Sequence, residues 1–392
     1  MSSTKPAFNL KELVVPVYLP SMLFSIAEGS LIPVIPASAE RLGSDLPTAA
    51  LIAGLLMFGT LVAGLPAARI VNKFGERRAM MFGAFVSALG ITSSIFAQNI
   101  FFLGLGVFIV GVAHSVFGLA RHGYITETVP FSHRARALSL LAGFFRLGGF
   151  IGPLLGAGLI LISGIQAVYI AVAIFCAAAG ATLFFTKSEN MKDTPPNQGG
   201  GVWHITKRER SKLLNLGTAS AILTFARTAR NIGLPLWALH INLDTSQASL
   251  IIGIAGGLDF ALFYLGGKVI DKKGRAWAGV PTLIATGIGL MLIGTAQDAV
   301  GFLIVALLLA LANTVGAGLV MVIGADLAPP DARNEFLAAY RFMLDGGVTL
   351  AAPILAITTT LVGLAGGLVI IGGVSIYGGW LMYRYLPKHG IK

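Results

Sequence analysis

Long apolar stretches run through this 392-residue chain and restrict what it can fold into. Hydrophobic residues make up 55% of the sequence and charged residues 11%, whereas an average soluble protein has about 25% charged residues. A helix needs roughly 20 apolar residues to cross the hydrocarbon layer of a bilayer. The 50 glycines also suit closely packed transmembrane helices better than soluble ones. The sequence therefore predicts an all-α membrane protein.

Apolar runs bounded by charges or by Gly and Pro clusters predict twelve spans with short loops. Numbered in chain order, they lie at residues 12–36, 47–71, 78–97, 101–128, 136–163, 166–186, 213–238, 247–270, 277–297, 300–327, 335–360 and 364–386. The polar first residues do not form the pattern of a cleavable signal peptide. Span 1 is therefore expected to direct its own insertion.

One long loop separates spans 6 and 7. Its first part is rich in Pro and Gly and its second part is basic, which predicts a flexible linker that ends in a short basic amphipathic helix. We expect an N-terminal six-helix bundle at 1–186, a cytoplasmic linker at 187–212 and a C-terminal six-helix bundle at 213–392.

The net charge of +11 is distributed unevenly. Outside the spans, nearly all Lys and Arg residues lie at the termini, in loops after even-numbered spans, or at the inner ends of helices. By the positive-inside rule, both termini and the linker are expected in the cytoplasm, in a multi-pass protein of the cytoplasmic (inner) membrane. Orientation in the lipid bilayer thus accounts for the basic charge, and no nucleic-acid partner is expected.

Two loops recur at one offset of 199 residues, which indicates an internal repeat. The loop after span 2 contains Asn72, Gly75 and Arg77, and the loop after span 8 contains Asp271, Gly274 and Arg275. The turn from Glu127 to Arg134 corresponds in the same way to the turn from Asp326 to Arg333, and each acid is expected to tie to the arginine of its own turn. The repeat predicts two pseudo-symmetric six-helix bundles, with a substrate path between them near the bilayer midplane.

The loop from Gly267 to Arg275 resembles motif A of the major facilitator superfamily, with glycine, acid, base, glycine and arginine in the same order. The run GGFIGPLLGA in span 5 resembles motif C of the drug:proton antiporter branch and contains Gly148, Gly152, Pro153 and Gly156. The resemblance to the superfamily covers nearly the whole chain. It implies the major facilitator fold, with twelve helices in two bundles, and transport by alternating access.

The resemblance also implies a gating role for the residues of motif A. They are Asn72, Gly75 and Arg77 in the first half and Asp271, Gly274 and Arg275 in the second. Such loops help to hold the cytoplasmic side shut in the outward-facing state, through an acid that pairs across to the other half. Asn72 and Ala68 stand where the family usually has aspartate and glycine, so a weaker latch is expected in the first half.

Ionisable residues inside the spans are costly and must be paired, hydrated or used. Glu28 has no basic neighbour in its own span, and the resemblance to multidrug antiporters implies that an acid in this helix carries the coupling proton. Arg121 and His122 in span 4 are further candidates for proton coupling. The alternative is a permanent salt bridge from Glu28 to Arg121 or Arg146.

Arg227, Arg230 and Asn231 fall on one face of span 7 by their three- and four-residue spacing. Two guanidinium groups at one depth repel each other unless an anion lies between them, which predicts a site for an acidic group of a substrate. The alternative is that Asp259 in span 8 neutralises one arginine and water the other.

Asp345 and Arg146 complete the candidate substrate-binding residues. Asp345 lies four residues after Arg341 in span 11, a spacing that favours an ion pair between them. Arg146 in span 5 is the repeat equivalent of Asp345, so both are expected to approach the central cavity. The arginines inside the spans outnumber the acids there, which favours an anionic or zwitterionic substrate.

The sequence contains none of the metal, nucleophile or nucleotide motifs of a membrane enzyme or an ATP-driven pump. We expect no enzyme activity, no cofactor and no metal, and a monomer that works with a small-molecule substrate, protons and the bilayer. The predicted function is proton-coupled efflux of a small organic compound that is anionic or amphiphilic. The alternative is uptake of an organic anion by proton symport on the same fold.

Overall fold

The computed structural model describes residues 10–185, 202–316 and 318–389. Nearly all of these residues are helical, and no β-strand occurs among them. The α-helices in chain order are α1 (Leu19–Leu31), α2 (Val34–Arg41), α3 (Leu46–Phe74), α4 (Glu76–Ile95), α5 (Ile100–Thr128), α6 (Phe131–Ser163), α7 (Ile165–Thr182), α8 (Val202–Arg208), α9 (Arg210–Lys212), α10 (Thr218–His240), α11 (Thr245–Lys273), α12 (Arg275–Leu292), α13 (Ala299–Val315), α14 (Leu319–Leu327) and α15 (Arg333–Tyr385). The prediction of an all-α fold is confirmed.

Within the described ranges, ten helical stretches are long and apolar enough to cross a membrane. The last of them contains two helices that meet at Gly363, where φ is 77°. Helix α10 is not among the ten and carries two arginines, Arg227 and Arg230. The predicted tenth span is interrupted, because α13 ends at Val315 and α14 begins at Leu319. A multi-pass membrane protein is confirmed, and the count of twelve spans stays a prediction.

By its internal packing the chain divides into two units. The first comprises Met1–Leu31 and Leu55–Lys192, and the second comprises Ile32–Gly54 and Asp193–Lys392. Helix α2 and the start of α3 thus belong to the second unit, where Gly54 lies against Ala352 so closely that a β-carbon on Gly54 would overlap it. The bundles predicted at 1–186 and 213–392 and the linker at 187–212 stay predictions, and residues 186–201 lie outside the described residues.

The 199-residue repeat extends to the backbone. Each half begins with a five-residue π-helical turn, at Val14–Tyr18 and at Leu213–Gly217. Positive φ angles recur at the same offset in the pairs Gly43 and Asn242, Gly75 and Gly274, and Gly164 and Gly363. Helix caps also recur at this offset. The side chains of Asn99 and Asp298 accept backbone hydrogen bonds at the starts of α5 and α13. The two halves are therefore built to one backbone plan.

Gly75 and Gly274 separate two helices in each half of the chain. Their φ and ψ angles are 80° and 161° at Gly75 and 92° and 173° at Gly274. This conformation is essentially restricted to glycine, because a β-carbon would clash with the backbone. The glycines of motif A thus allow α3 to be followed at once by α4, and α11 by α12.

The glycines of the predicted antiporter motif bring α6 against α1. A β-carbon on Gly148 would overlap the backbone of Ser25, and one on Gly152 would overlap the carbonyl oxygen of Ile26. The Ser30 hydroxyl donates a hydrogen bond to the Gly152 carbonyl oxygen at 2.8 Å. Small residues of this kind permit close approach of membrane helices. The motif therefore sets the position of the helix that carries Glu28.

Candidate functional site

Glu28 on α1 contacts a histidine on α5. The distance between Glu28 Oε2 and His114 Nδ1 is 3.3 Å, and the side chains are 20% and 28% exposed respectively. A half-buried acid beside an imidazole can hold a proton on either group. The contact therefore forms an acid–base pair inside the first unit.

An aromatic stack lies one helical turn from this pair. The rings of Phe24 and Phe117 are 4.5 Å apart between centroids and 8° from parallel. Phe24 precedes Glu28 by four residues and Phe117 follows His114 by three, so each helix presents an aromatic and an ionisable residue on one face. The stack fixes α1 against α5 and holds Glu28 opposite His114.

Arg121 lies two turns beyond His114 on α5 and is 3% exposed. Its guanidinium carbon is 4.1 Å from the ring centroid of Phe145 and 5.6 Å from that of Phe117. It interacts electrostatically with Glu28. A buried arginine between aromatic rings is held in place by cation–π attraction, so its positive charge is a fixed part of the Glu28 environment.

His114 was not predicted as a partner of Glu28. The alternative expected from the sequence is a salt bridge to Arg121 or Arg146, whereas the side chain that contacts Glu28 is His114. The signal was present in the spacing of His114, Phe117 and Arg121 along one face of α5. His122 is half-buried, follows Arg121 and points about 100° away around the helix, and its role in proton coupling stays a prediction.

In the second unit, the polar residues of α10 reach α13 and the turn after it. Arg230 Nε and Nη2 donate to Asn231 Oδ1 at 3.2 and 3.0 Å, and Arg230 Nη1 donates to the Leu309 carbonyl oxygen at 3.3 Å. Arg227 Nη2 donates to the Gly316 carbonyl oxygen at 2.7 Å. The Gly316 carbonyl oxygen, in the break after α13, thus helps to orient the Arg227 guanidinium group.

Asp259 on α11 reaches the same part of α13. Its carboxylate accepts hydrogen bonds from Asn313 Nδ2 and Thr314 Oγ1, both at 3.0 Å. We call Arg227, Arg230, Asp259, Asn313 and Thr314 the polar seam. Three predicted site residues, Arg227, Arg230 and Asp259, thus contact α13 or the turn that follows it. All three are half-buried.

The repeat relates the polar seam to the acid–base pair. At the 199-residue offset, Glu28 corresponds to Arg227 and His114 corresponds to Asn313. One repeat position therefore carries a carboxyl group in the first unit and a guanidinium group in the second. Duplication alone would give like residues, so this position has diverged between the two units.

Arg341 and Asp345 lie on one face of α15, as their spacing predicts. The distance from Arg341 Nε to Asp345 Oδ2 is 3.8 Å, and the side chains are 73% and 50% exposed. An exposed ion pair at this distance is weak, so both groups remain accessible to other charges. Arg146 is half-buried on α6. The substrate-binding roles of Arg146 and Asp345 stay predictions.

The motif A arginines make different contacts in the two halves. Arg77 Nε and Nη2 donate to the carbonyl oxygens of Leu183 and Phe184 at 2.7 and 3.0 Å, at the C-terminal end of α7. Arg275 Nε donates to Asp326 Oδ2 at 2.8 Å. Asp326 was expected to tie to Arg333 in its own turn, and its partner on another helix is Arg275. Asn72 is exposed, and the side chain of Asp271 lies outside the described residues.

The first half has two acids where the second half has an ion pair. Glu76 and Glu127 are the repeat equivalents of Arg275 and Asp326, and their carboxyl groups interact electrostatically. Two neighbouring carboxylates repel each other, and protonation of one of them removes that repulsion. The contact between α4 and α5 in the first unit is therefore expected to weaken when both carboxyl groups are ionised.

Replacing Glu76 with arginine should restore the ion pair of the second half. We expect Glu76→Arg to raise the unfolding midpoint at pH 8, with a gain in free energy of unfolding of up to about 1 kcal/mol, because Glu127 is exposed. Glu76→Gln removes the repulsion without supplying a cation and should give a smaller gain. Thermal unfolding of the purified protein at pH 5.5 and pH 8 measures both. A lower midpoint for Glu76→Arg at pH 8 would show that the two groups do not face each other.

A sequence profile of the Major Facilitator Superfamily matches residues 17–352 and, in a second match, residues 217–391. The chain belongs to the Major Facilitator Superfamily. It is therefore a multi-pass membrane protein of that superfamily. The two matches begin at residues 17 and 217, a spacing close to that of the internal repeat.

Among curated proteins, the chain is similar to the multidrug resistance protein MdtG of Serratia proteamaculans (strain 568). The two are 28% identical over 182 residues, which is 45% of this chain and 43% of that protein. MdtG of Salmonella typhimurium is 27% identical over 176 residues, or 44% and 42% of the two chains. The matched region thus spans less than half of the length of these relatives.

Solved structures of the Major Facilitator type share the fold at low sequence identity. A POT family transporter in complex with 5-aminolevulinic acid has a TM-score of 0.81 at 14% identity and covers 97% of this chain and 96% of its own. A D-xylose-proton symporter has a TM-score of 0.76 at 15% identity, with 97% and 98% covered. These similarities confirm the predicted fold class.

Proposed function

We propose that this protein exports a small organic compound with an acidic or amphiphilic character in exchange for protons. The proposal rests on the opposite chemistry at one repeat position, where Glu28 contacts His114 in the first unit and Arg227 is hydrogen-bonded to the Gly316 carbonyl oxygen in the second. The relatives named for multidrug resistance support export. The distribution of Lys and Arg supports a cytoplasmic membrane with both termini in the cytoplasm.

Glu28 is the proposed proton carrier. A carboxylate that is mostly buried loses hydration, so its charged form depends on nearby positive groups. The charge of Arg121 provides that support, and His114 contacts the carboxylate at 3.3 Å. Protonation of Glu28 removes the negative charge of its carboxylate and supplies a hydrogen-bond donor, and so changes its contact with His114. His122, next to Arg121, is the secondary candidate on this helix.

The polar seam is the proposed contact for the acidic group of the substrate. Arg230 and Arg227 present guanidinium groups whose positions are set by hydrogen bonds to carbonyl oxygens and to Asn231. Such groups bind carboxylates with short, directional, charge-assisted hydrogen bonds. Arg146 and Asp345, which are repeat equivalents on α6 and α15, are proposed as further substrate contacts.

The direction of coupling can be tested with the protein in sealed vesicles that contain a pH-sensitive dye and start without a pH gradient. A panel of organic anions, cations and neutral amphiphiles is added outside. Exchange of an incoming substrate for outgoing protons should raise the interior pH, and a protonophore should abolish the signal. A fall in interior pH would instead indicate symport. Substrate entry without any pH change would contradict proton coupling.

Arg230→Gln should weaken the binding of organic anions much more than that of neutral analogues. A lost charge-assisted hydrogen bond corresponds to about a ten- to hundredfold change in dissociation constant, whereas neutral analogues should change less than about threefold. Isothermal titration or ligand-induced thermal stabilisation measures the two classes. The control is Arg384→Gln, at an exposed arginine stacked on Trp380. It should leave the dissociation constants of anions and of neutral analogues unchanged. Equal losses for anions and neutral analogues would assign Arg230 a structural role.

A further inference from the structure

Helix α8 is anchored beside the start of α15. Arg208 Nη1 and Nη2 donate to the two carboxylate oxygens of Asp331 at 2.6 and 3.1 Å, and Lys212 Nζ lies 2.9 Å from Glu209 Oε2. Ile205 is buried in the apolar core of the second unit. The bidentate hydrogen bond from Arg208 holds the pKa of the Asp331 carboxyl below its usual value. The anchor therefore stays ionised in mildly acidic buffer.

An apolar groove of about 600 Å³ lies between this anchored segment and α15. Its lining includes Trp203, Leu213, Leu214, Phe342 and Met343. Trp203, Leu214 and Phe342 are 72%, 66% and 73% exposed. Apolar surface of this extent is unfavourable in water and favourable against a hydrocarbon chain. The shape and chemistry of the groove therefore suit an acyl chain.

Two basic residues, Lys207 and Arg210, line the same groove. Lys207 Nζ lies 5.3 Å from the ring centroid of Trp203. Among the described residues, no carboxylate forms an ion pair with either of them. Arg208, by contrast, is paired with Asp331, and Lys212 is paired with Glu209 and donates to the Leu327 carbonyl oxygen at 3.4 Å. Arg208 and Lys212 thus attach the segment to the rest of the second unit, whereas Lys207 and Arg210 lie at the groove.

We propose that this groove binds an anionic phospholipid. One acyl chain lies on the apolar lining, and the phosphate lies between Lys207 and Arg210. Charge complementarity selects an anionic headgroup over a zwitterionic one, since each Lys or Arg near a membrane surface contributes about fivefold in affinity for anionic lipid. An indole such as that of Trp203 suits the boundary between headgroups and hydrocarbon. The site is separate from the acid–base pair and the polar seam.

Lipid binding to the full-length protein in detergent tests the proposal, with native mass spectrometry as the readout. The probes are dioleoyl phosphatidylglycerol, dioleoyl phosphatidylcholine and glycerol 3-phosphate. The double variant Lys207→Ala with Arg210→Ala should bind phosphatidylglycerol about thirtyfold more weakly and phosphatidylcholine unchanged. The control is Lys272→Ala with Lys273→Ala, another exposed basic pair in which Lys273 lies over the Trp277 ring at 5.4 Å. Because this pair does not line the groove, it should change phosphatidylglycerol binding there by less than about twofold.

Three results would overturn the proposal. They are equal binding of the two lipids by the unmodified protein, equal losses in the two double variants, and retention of glycerol 3-phosphate as strong as that of phosphatidylglycerol. Phe342→Ala tests the apolar half and should weaken the binding of both lipids, so unchanged binding would exclude this groove. The substituted side chains are exposed, and an unchanged unfolding midpoint in phosphatidylcholine shows that the fold is intact.

Discussion

Replacing Glu28 with glutamine is expected to abolish substrate-driven proton movement and to leave substrate binding within about twofold. The amide keeps the size of the side chain and its ability to hydrogen-bond with His114, but it can neither release a proton nor carry a charge. The variant therefore imitates the protonated state permanently. In vesicles, the interior pH signal should fall to the level seen with a protonophore. Exchange of labelled for unlabelled substrate, which needs no net proton transfer, should continue.

Two further variants make the Glu28 result specific. Glu40→Gln removes an exposed carboxylate from α2 and should leave the pH signal unchanged. His114→Gln removes the base that contacts Glu28 and should shift the pH at which transport is half-maximal without abolishing coupling. A normal pH signal from Glu28→Gln would remove Glu28 from the mechanism. Loss of substrate exchange together with a lowered unfolding midpoint in Glu28→Gln would show that Glu28 stabilises the fold.

Gly152→Ala should strongly destabilise the first unit. A β-carbon on Gly152 would lie 2.6 Å from the Ile26 carbonyl oxygen, 2.7 Å from the Ser30 nitrogen and 2.8 Å from the Gly29 carbonyl carbon. All three are backbone atoms, so no side-chain rotation relieves the overlap and α6 must move away from α1. Overpacking of this kind costs about 1–3 kcal/mol or more. The unfolding midpoint and the yield of monodisperse protein in detergent measure the loss.

The same helix supplies matched controls for Gly152. A β-carbon on Gly149 has nothing within 4 Å, and one on Gly156 has its nearest neighbour at 3.6 Å. Gly149→Ala and Gly156→Ala should therefore be neutral, or stabilising by up to about 1 kcal/mol through better helix propensity. Equal losses in all three variants would mean that the glycines of this motif serve flexibility and not close packing.

The positions of the helices were largely predictable from the sequence because they depend on local composition. Span 4, predicted at 101–128, is helix α5 at Ile100–Thr128. Span 3, predicted at 78–97, is helix α4 at Glu76–Ile95. Apolar length, charged ends and glycine at a sharp turn are all properties of consecutive residues. The break between α13 and α14 was missed, because apolar composition continues through it.

The contacts of the candidate site were less predictable. Glu28 stood out because an ionisable residue in an apolar span is costly, yet its partner His114 lies 86 positions further along the sequence. Asp326 was assigned to an arginine in its own turn, whereas its partner Arg275 begins another helix. The pairing of Glu76 with Glu127 was missed for the same reason. Each contact depends on the rotation and depth of two helices, which no local pattern specifies.

The class of protein, the 199-residue repeat and the residues whose charge needs an explanation could all be read from the amino-acid sequence. These follow from hydrophobic length, from duplicated motifs and from the cost of charge in hydrocarbon. The tertiary structure alone decided which of those charges meet. It placed an imidazole against Glu28, gathered the polar side chains of α10 and α11 on α13, and left two basic residues beside an apolar groove. Side-chain contacts between distant segments arise only when helix packing fixes their relative rotation and depth, and that packing is a property of the whole fold.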